Sequence, residues 1–229
     1  MALSLSVVVP VLNEERLEHF LAAIRARLDT ESISYEIVVV SDGGAAAMAE
    51  ERTRTIVGPH RGKGRAVREG LLAATGAAVI VIDADLDVLI PHLPAFASLI
   101  LRDGYDVAIA ERTPDWHARK PLRFFLSYGL YAAQRLFVFN SRRFRDTQCG
   151  LKAFRGSAAK TIAEMQQVDG GMYDIEYLYI ARRKGMKIAQ VDVGAVAESR
   201  PSRIRIWKCL RQDPVDLLRI KWRGITRRY

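Results

Sequence analysis

Three carboxylates at alternate positions, Asp83, Asp85 and Asp87, close the stretch Val79–Asp87, VIVIDADLD. In extended chain, alternate side chains share one face. Three negative charges there repel one another unless something cationic sits among them. Hard oxygen ligands close together suit Mg2+ or Mn2+, especially where a phosphorylated substrate supplies further oxygens. An Asp-x-Asp taken alone is an acidic loop more often than a site, so its companions decide.

The elements that must position these carboxylates follow from periodicity. Ser4–Pro10, Tyr35–Val40, a segment near Arg54–Val57, Val79–Ile82 and Asp106–Ala110 are predicted strands. Leu17, Phe20, Leu21, Ile24 and Leu28 keep helical spacing, and further helices are predicted at about 45–52, 65–74 and 91–101. Strands alternating with helices predict an α/β fold with a largely parallel sheet. In such a sheet ligands bind beyond the carboxyl ends of the strands. Asn13/Glu14, Asp42, the Asp triplet and Glu111/Arg112 each follow a predicted strand, so all fall on one rim. Their joint placement predicts a single site. The carboxylates can accept from a nucleobase or bind metal, and Arg112 can pair with phosphate.

Gly62-Lys63-Gly64 opens a helix and reads either as an anion-binding turn or as a plain one. It is not a Walker loop, since Arg65 stands where Ser or Thr would hold Mg2+, and G-x-G-x-x-G is absent after the first strand. The four histidines are scattered and no nucleophile–base arrangement suggests itself; Cys149 is expected to be a packed side chain.

Composition narrows the partners. With 49% hydrophobic and 27% charged residues the chain is globular, and it is expected to form one domain, 1–229. The net charge of +9 is uneven: residues 111–160 and 200–229 each carry +8, while 1–110 carry −5. Two basic blocks suggest an anionic partner such as a membrane surface, a phosphate ligand or nucleic acid. No helix-turn-helix, zinc or RNA-recognition motif is present, so nucleic acid is not expected. No apolar run is long enough for a transmembrane helix, and the N-terminus lacks a basic segment and cleavage site, so no signal peptide is expected. Two cysteines without metal-ligand spacing suggest a reducing compartment. Together these predict a cytoplasmic protein, peripheral on the inner face of the membrane.

The second half differs in character. Lys120–Asn140 is aromatic-rich and contains Arg123 and Arg135; it reads as an amphipathic helix or a broken pair. Arg142, Arg143, Arg145 and Asp146-Thr-Gln-Cys-Gly150 follow, then a helix over Tyr173–Lys184 and a strand over Lys187–Val193. The last helix is predicted to start with Asp213 as N-cap and Pro214 at N1. Val215, Leu218, Trp222 and Ile225 mark one side of it, with Arg219, Lys221, Arg223, Arg227 and Arg228 around the rest. That side either faces the core or lies on an anionic membrane.

VVVPVLNEE (7–15), EIVVVSDGG (36–44) and IDADLD (82–87) resemble the family 2 glycosyltransferases, nucleotide-sugar enzymes of GT-A fold. RGKGRAVREG (61–70), DTQCGLKAFR (146–155) and YDIEYLYIAR (173–182) look like the dolichyl- and polyprenyl-phosphate sugar synthases, the glucosyltransferases first and the mannose synthases next. The resemblance implies a GT-A (Rossmann-like) fold with a nucleotide-sugar-binding half, 1–112, and an acceptor- and membrane-facing half, 113–229. It implies that Pro10, Leu12, Glu14, Val40 and Asp42 line the nucleoside pocket. Asp83, Ala84 and Asp85 would contact ribose, sugar and diphosphate, and Asp85 and Asp87 would hold Mg2+ or Mn2+. Arg112 would meet donor or acceptor phosphates, Arg203 would lie near the diphosphate, and Arg123 and Ser127 would bind the lipid phosphate. The sequence departs from the pattern at Ser41, Leu12, Arg203 and Arg200-Pro201.

The expected reaction is metal-dependent, inverting transfer of a sugar, glucose or mannose, from a UDP- or GDP-linked donor to polyprenyl or dolichyl phosphate at the membrane surface. Asp85, Asp87 and Arg112 are its expected catalytic residues. The alternative is a soluble family 2 transferase acting on a hydroxyl acceptor. That chemistry needs a base, for which Asp146, Asp174 and Glu176 are the candidates. A non-catalytic nucleic-acid or nucleotide-sugar binder is the distant alternative. Donor base, lipid length and oligomeric state stay open.

Overall fold

The structure, a computed structural model, describes residues 4–11, 16–41, 52–57, 62–113, 144–196, 206–226 and 228–229, with side chains of the last helix from 212 onward. Its elements are β1 (Leu5–Val11), α1 (Leu17–Asp29), β2 (Tyr35–Ser41), β3 (Thr53–Val57), α2 (Lys63–Ala73), β4 (Ala78–Ile82), a 3-10 helix (Asp87–His92), α3 (Leu93–Leu101), β5 (Val107–Glu111), β6 (Leu151–Arg155), α4 (Gly156–Met165), α5 (Tyr173–Arg183), β7 (Ile188–Asp192) and α6 (Ile206–Ile225).

Every residue of β1, β2 and β4 is buried. These strands lie inside the sheet with helices on both faces, so near-continuous apolar runs satisfy them. The described strands form one sheet in the order β3-β2-β1-β4-β6-β5-β7. All neighbours are parallel except where β6 runs antiparallel between β4 and β5. The alternation of side chains divides the core into two layers. Val8, Val38, Val79, Val81 and Phe154 pack with residues of α2, α4, α5 and α6; Val7, Val39, Ile80, Ile82 and Ala153 pack with residues of α1 and α3.

Three sequence expectations are corrected. β6 and α4 were not predicted: β6 carries a lysine and an arginine among five residues, which hides its pattern. α2 begins at Lys63, not Arg65, because Gly62 at φ 110° turns the chain directly into the helix. The last helix spans Ile206–Ile225, so Asp213 does not cap it and Pro214 lies in its interior. A proline there costs about 3 kcal/mol. Burial of Leu217 and Ile220 on the protein side opposes that cost.

The rim opposite the strand C-termini is knotted by one carboxylate. Glu36 accepts from Ser6 Oγ at 2.6 Å, Thr75 N at 2.9 Å, Thr75 Oγ1 at 2.7 Å and Arg54 Nε at 2.9 Å, joining β1, β2, β3 and the turn before β4. Burial raises its pKa, but the Arg54, Ser6 and Thr75 bonds outweigh this and hold it at about 2. A folded pKa below the unfolded one stabilises above the unfolded value and is lost as pH falls through the folded value. Glu36→Gln is therefore expected to lower the thermal midpoint at pH 7. Its difference from wild type should shrink steadily between about pH 4.5 and pH 2, which a midpoint-against-pH series checks.

Candidate active site

The parallel pairing sets the carboxyl ends of β1, β2, β4 and β5 on one rim, together with the N-terminal end of the antiparallel β6. Pro10 and Val40 are register partners near that rim. Both are buried, and Val40 belongs to the core layer over α2. Leu12, Glu14, Asp42, Arg123, Ser127 and Arg203 lie outside the described residues.

The Asp triplet is not extended chain. Asp83 leaves β4, Leu86 N donates back to Asp83 O at 3.1 Å to close a turn through Ala84 and Asp85, and Asp87 opens the 3-10 helix. The three carboxylates therefore do not share one strand face, as their spacing predicted. Asp83 points into the protein and takes an ion pair from Lys63 Nζ at 2.5 Å. Its Oδ1 is buried and accepts no hydrogen bond from the described residues. Asp85 and Asp87 are exposed. The site thus combines one half-buried carboxylate with a vacant acceptor oxygen and two exposed ones.

Lys63 reaches Asp83 because two glycines let α2 press against the segment before α5. Gly64 N donates to Asp169 O at 3.0 Å. A Cβ on Gly64 would lie 2.8 Å from Tyr173 Cβ and 2.9 Å from Val168 O. Glu176 holds that segment by accepting from Gln167 N at 3.0 Å and Val168 N at 2.8 Å. Gln166 Nε2 donates to Gly64 O at 2.9 Å. The Asp83, Asp174 and Asp85 charges raise the Lys63 pKa against the opposing effect of lost hydration, so it is an ammonium throughout the neutral range. Gly64→Ala is expected to cost about 1–3 kcal/mol of stability by overpacking. Gly171→Ala, with nothing within 4 Å of its added methyl, should leave thermal unfolding unchanged.

A second ion pair lies deeper. Lys152 of β6 and Asp174 of α5 meet at 2.7 Å, with side chains 4% and 7% exposed. Lys152 Nζ also donates to Cys149 O at 2.6 Å. Cys149 precedes Gly150, whose carbonyl accepts from Asp83 N at 3.2 Å and whose Cα sits against the Asp83 carboxylate. Lys152 thus braces the turn that seats Asp83. Burial raises the Asp174 pKa, with Lys152 and Lys63 pulling it the other way. Neither the pair nor the Lys63–Asp83 contact was anticipated from sequence. The available signal was a charge inside each of two apolar runs, LKAF and YDIEYLYI.

Arg112 stands just beyond β5. Its Nε donates to Asp146 Oδ2 at 2.6 Å and its Nη2 to Asp146 Oδ1 at 3.2 Å, a two-point grip. Gln148 N adds a bond to Asp146 Oδ1 at 3.0 Å. Burial raises the Asp146 pKa, but these bonds and the Arg112 charge prevail and hold it below the usual carboxylate range.

The sequence model of glycosyl transferase family 2 matches residues 6–155, from the second residue of β1 to the last of β6. The chain belongs to this family. The matched span carries Asp83, Asp85, Asp87 and Arg112 and ends before α5, so the family 2 core supplies Lys152 while Asp174 comes from beyond it. The chain is 32% identical over 215 residues to a dolichyl-phosphate beta-glucosyltransferase of Trichomonas vaginalis, covering 82% of this chain and 64% of that one. It is 30% identical over 228 residues to the dolichyl-phosphate beta-glucosyltransferase of Drosophila melanogaster, covering 84% and 67%. It therefore spans about two thirds of the length of these relatives. Its fold matches that of glucosyl-3-phosphoglycerate synthase from Mycobacterium tuberculosis, solved with Mn2+, uridine-diphosphate-glucose and phosphoglyceric acid. There the TM-score is 0.70 at 22% identity, over 95% of this chain and 79% of that one. The GT-A expectation is thereby met.

The donor chemistry of the rim fits a hard divalent cation. Asp85 and Asp87 offer exposed carboxylate oxygens, but no group of three or more metal-ligating side chains occurs among the described residues. Two protein carboxylates completed by substrate phosphate oxygens is the pattern expected of Mg2+ or Mn2+.

Proposed function

We propose that this family 2 glycosyltransferase moves glucose from UDP-glucose to a dolichyl or polyprenyl phosphate at a membrane surface. The observation that carries the acceptor class is the state of the three candidate bases. Asp146 is gripped by Arg112, Asp174 is buried against Lys152, and Glu176 is spent on backbone N–H groups and the Tyr229 hydroxyl. A hydroxyl acceptor needs a base; a phosphate acceptor is already anionic and needs none. The activities of the relatives from Trichomonas and Drosophila support the same choice, and the uridine-diphosphate-glucose held by the structural neighbour supports the donor.

In this reading Asp83 Oδ1 accepts from a hydroxyl of the bound nucleotide sugar while Lys63 fixes its other oxygen. Pro10 and Val40 shape the strand ends beneath the nucleoside, and Leu12, Glu14 and Asp42 are its further contacts. Asp85 and Asp87 hold the divalent ion, which neutralises charge on the leaving diphosphate when bound. Arg112, seated by Asp146, and Arg203 face phosphates; Arg123 and Ser127 position the acceptor phosphate. An acceptor oxygen attacks the anomeric carbon as the bond to the diphosphate breaks, and UDP leaves with the bonding electrons. Attack from the opposite face inverts the centre, so an α-linked donor gives the β-product named in the relatives.

Purified protein given labelled UDP-glucose, UDP-galactose or GDP-mannose, with and without polyprenyl phosphate, tests this directly. Label entering the organic phase only with UDP-glucose and lipid is the expected result. Label that never leaves the aqueous phase would sink the lipid reading, and preference for GDP-mannose would sink the donor assignment.

A further inference from the structure

α6 has two apolar faces, and only one is used by the fold. Leu217 and Ile220 are buried, and Gly224 admits the Tyr179 ring of α5. The helix is pinned in this orientation at its end. The Tyr229 ring packs edge-on against Tyr179 at 5.9 Å, Arg223 lies over Tyr229 at 5.0 Å, and the Tyr229 hydroxyl donates to buried Glu176. With that face committed, Val215, Leu218, Trp222 and Ile225 point outward, 53%, 68%, 65% and 64% exposed. Their spacing confines them to about 80° of helix arc. The side that sequence offered as a possible core face is therefore solvent-facing, and the core side is a different set of residues.

Four large apolar side chains in one outward stripe mark a contact surface. Its borders are cationic: Arg219, 53% exposed though 3.6 Å from Asp216, follows on one flank and Lys221 on the other, while Asp213 and Asp216 are turned to the buried side. A second copy of this basic chain would bring like charges together along both borders. No described helix is long and apolar enough to cross a membrane.

We infer that the outer face of α6 docks on an anionic lipid bilayer, with the helix axis in the membrane plane. Leu218, Trp222 and Ile225 enter the boundary between headgroups and acyl chains, and Arg219 and Lys221 reach anionic headgroups along its borders. The inference rests on the lipid-acceptor reading only for its purpose, which is to hold the domain where such an acceptor resides.

Vesicle co-sedimentation of the full chain tests it, comparing phosphatidylcholine alone with phosphatidylcholine containing phosphatidylserine. Binding should require the anionic lipid and weaken with salt. R219E/K221E should lower partitioning at least about tenfold, and L218S/W222S/I225S at least about a hundredfold. Both variants should keep wild-type transfer to detergent-solubilised polyprenyl phosphate; the serine variant should also keep the wild-type thermal midpoint, while R219E/K221E, which sets a carboxylate beside Asp216, should melt somewhat lower. Absent transfer with intact vesicle binding would remove the acceptor reading and leave the docking surface standing. Absence of vesicle binding, undiminished binding by both variants, or a wild-type dimer made monomeric by the serine variant would each overturn the inference.

Discussion

Asp85→Ala is expected to lower kcat/KM for glucosyl transfer by about a hundred- to a thousandfold, the several kcal/mol that a metal ion contributes at a leaving diphosphate. Asp85 lies exposed in the turn after β4, so the substitution removes a ligand without opening the core. Its thermal midpoint should stay within a degree or two of wild type, in line with the small effect of surface changes. The loss should appear as a weakened response to added Mn2+ or Mg2+, with chelation abolishing wild-type turnover and either ion restoring it. Asp87→Ala should fall in the same direction, since Asp87 offers the other exposed carboxylate at the start of the 3-10 helix. Asp83→Asn should behave differently: it keeps the fold of the turn but loses the charge facing Lys63, weakening nucleotide binding even with metal absent. Unchanged turnover in Asp85→Ala would remove the metal-binding role.

The largest effect on stability is expected at Lys152. Lys152→Met leaves Asp174 as a buried carboxylate without its 2.7 Å partner. Breaking a buried pair from one side costs about 3–5 kcal/mol. In a chain of 229 residues that is a fall of about 10 °C in the thermal midpoint. Removing both charges should recover most of it, because a buried pair replaced by apolar side chains is often neutral. Lys152→Met/Asp174→Leu is thus expected to melt well above Lys152→Met alone. The double variant should nevertheless bind donor less well, because the Lys152 bond to Cys149 O that braces the turn under Asp83 is gone. Calorimetry on the three proteins, with UDP-glucose titrations, separates the two effects. Equal midpoints for Lys152→Met and wild type would show that the pair does not hold β6 to α5.

Much of this was legible in the residues themselves. The β-branched runs of β1, β2 and β4, alternating with helices of 3.6 periodicity, were sufficient for a parallel α/β sheet, because both faces of such strands must be buried. The same pattern put Asp83 and Arg112 on one rim, since parallel strands carry their carboxyl ends to the same edge. Fold family and reaction class were readable from the motifs at 7–15, 36–44 and 82–87.

What stayed hidden depended on partners distant in sequence. A lysine inside LKAF looks hostile to a buried strand until Asp174, 22 positions on, is found at 2.7 Å. Hence β6 was invisible and its antiparallel insertion between β4 and β5 with it. The turn at Asp83–Leu86 broke the shared face that alternate spacing implied, because local chain direction is set by hydrogen bonds and not by spacing. The base candidates needed the same information: nothing local distinguishes a free carboxylate from one gripped by an arginine. For α6 the stripe Val215, Leu218, Trp222 and Ile225 was plain from periodicity, and its direction was not. A helix with apolar residues on two sides does not specify which side meets the core; the packing of Gly224 against Tyr179 and of Tyr229 over Glu176 did. Sequence alone determined the parallel strands, the rim they share and the carboxylates that chemistry requires, since these follow from local periodicity. Only tertiary structure decided which charges are spent on one another and which surface is left for a partner, since both depend on long-range packing.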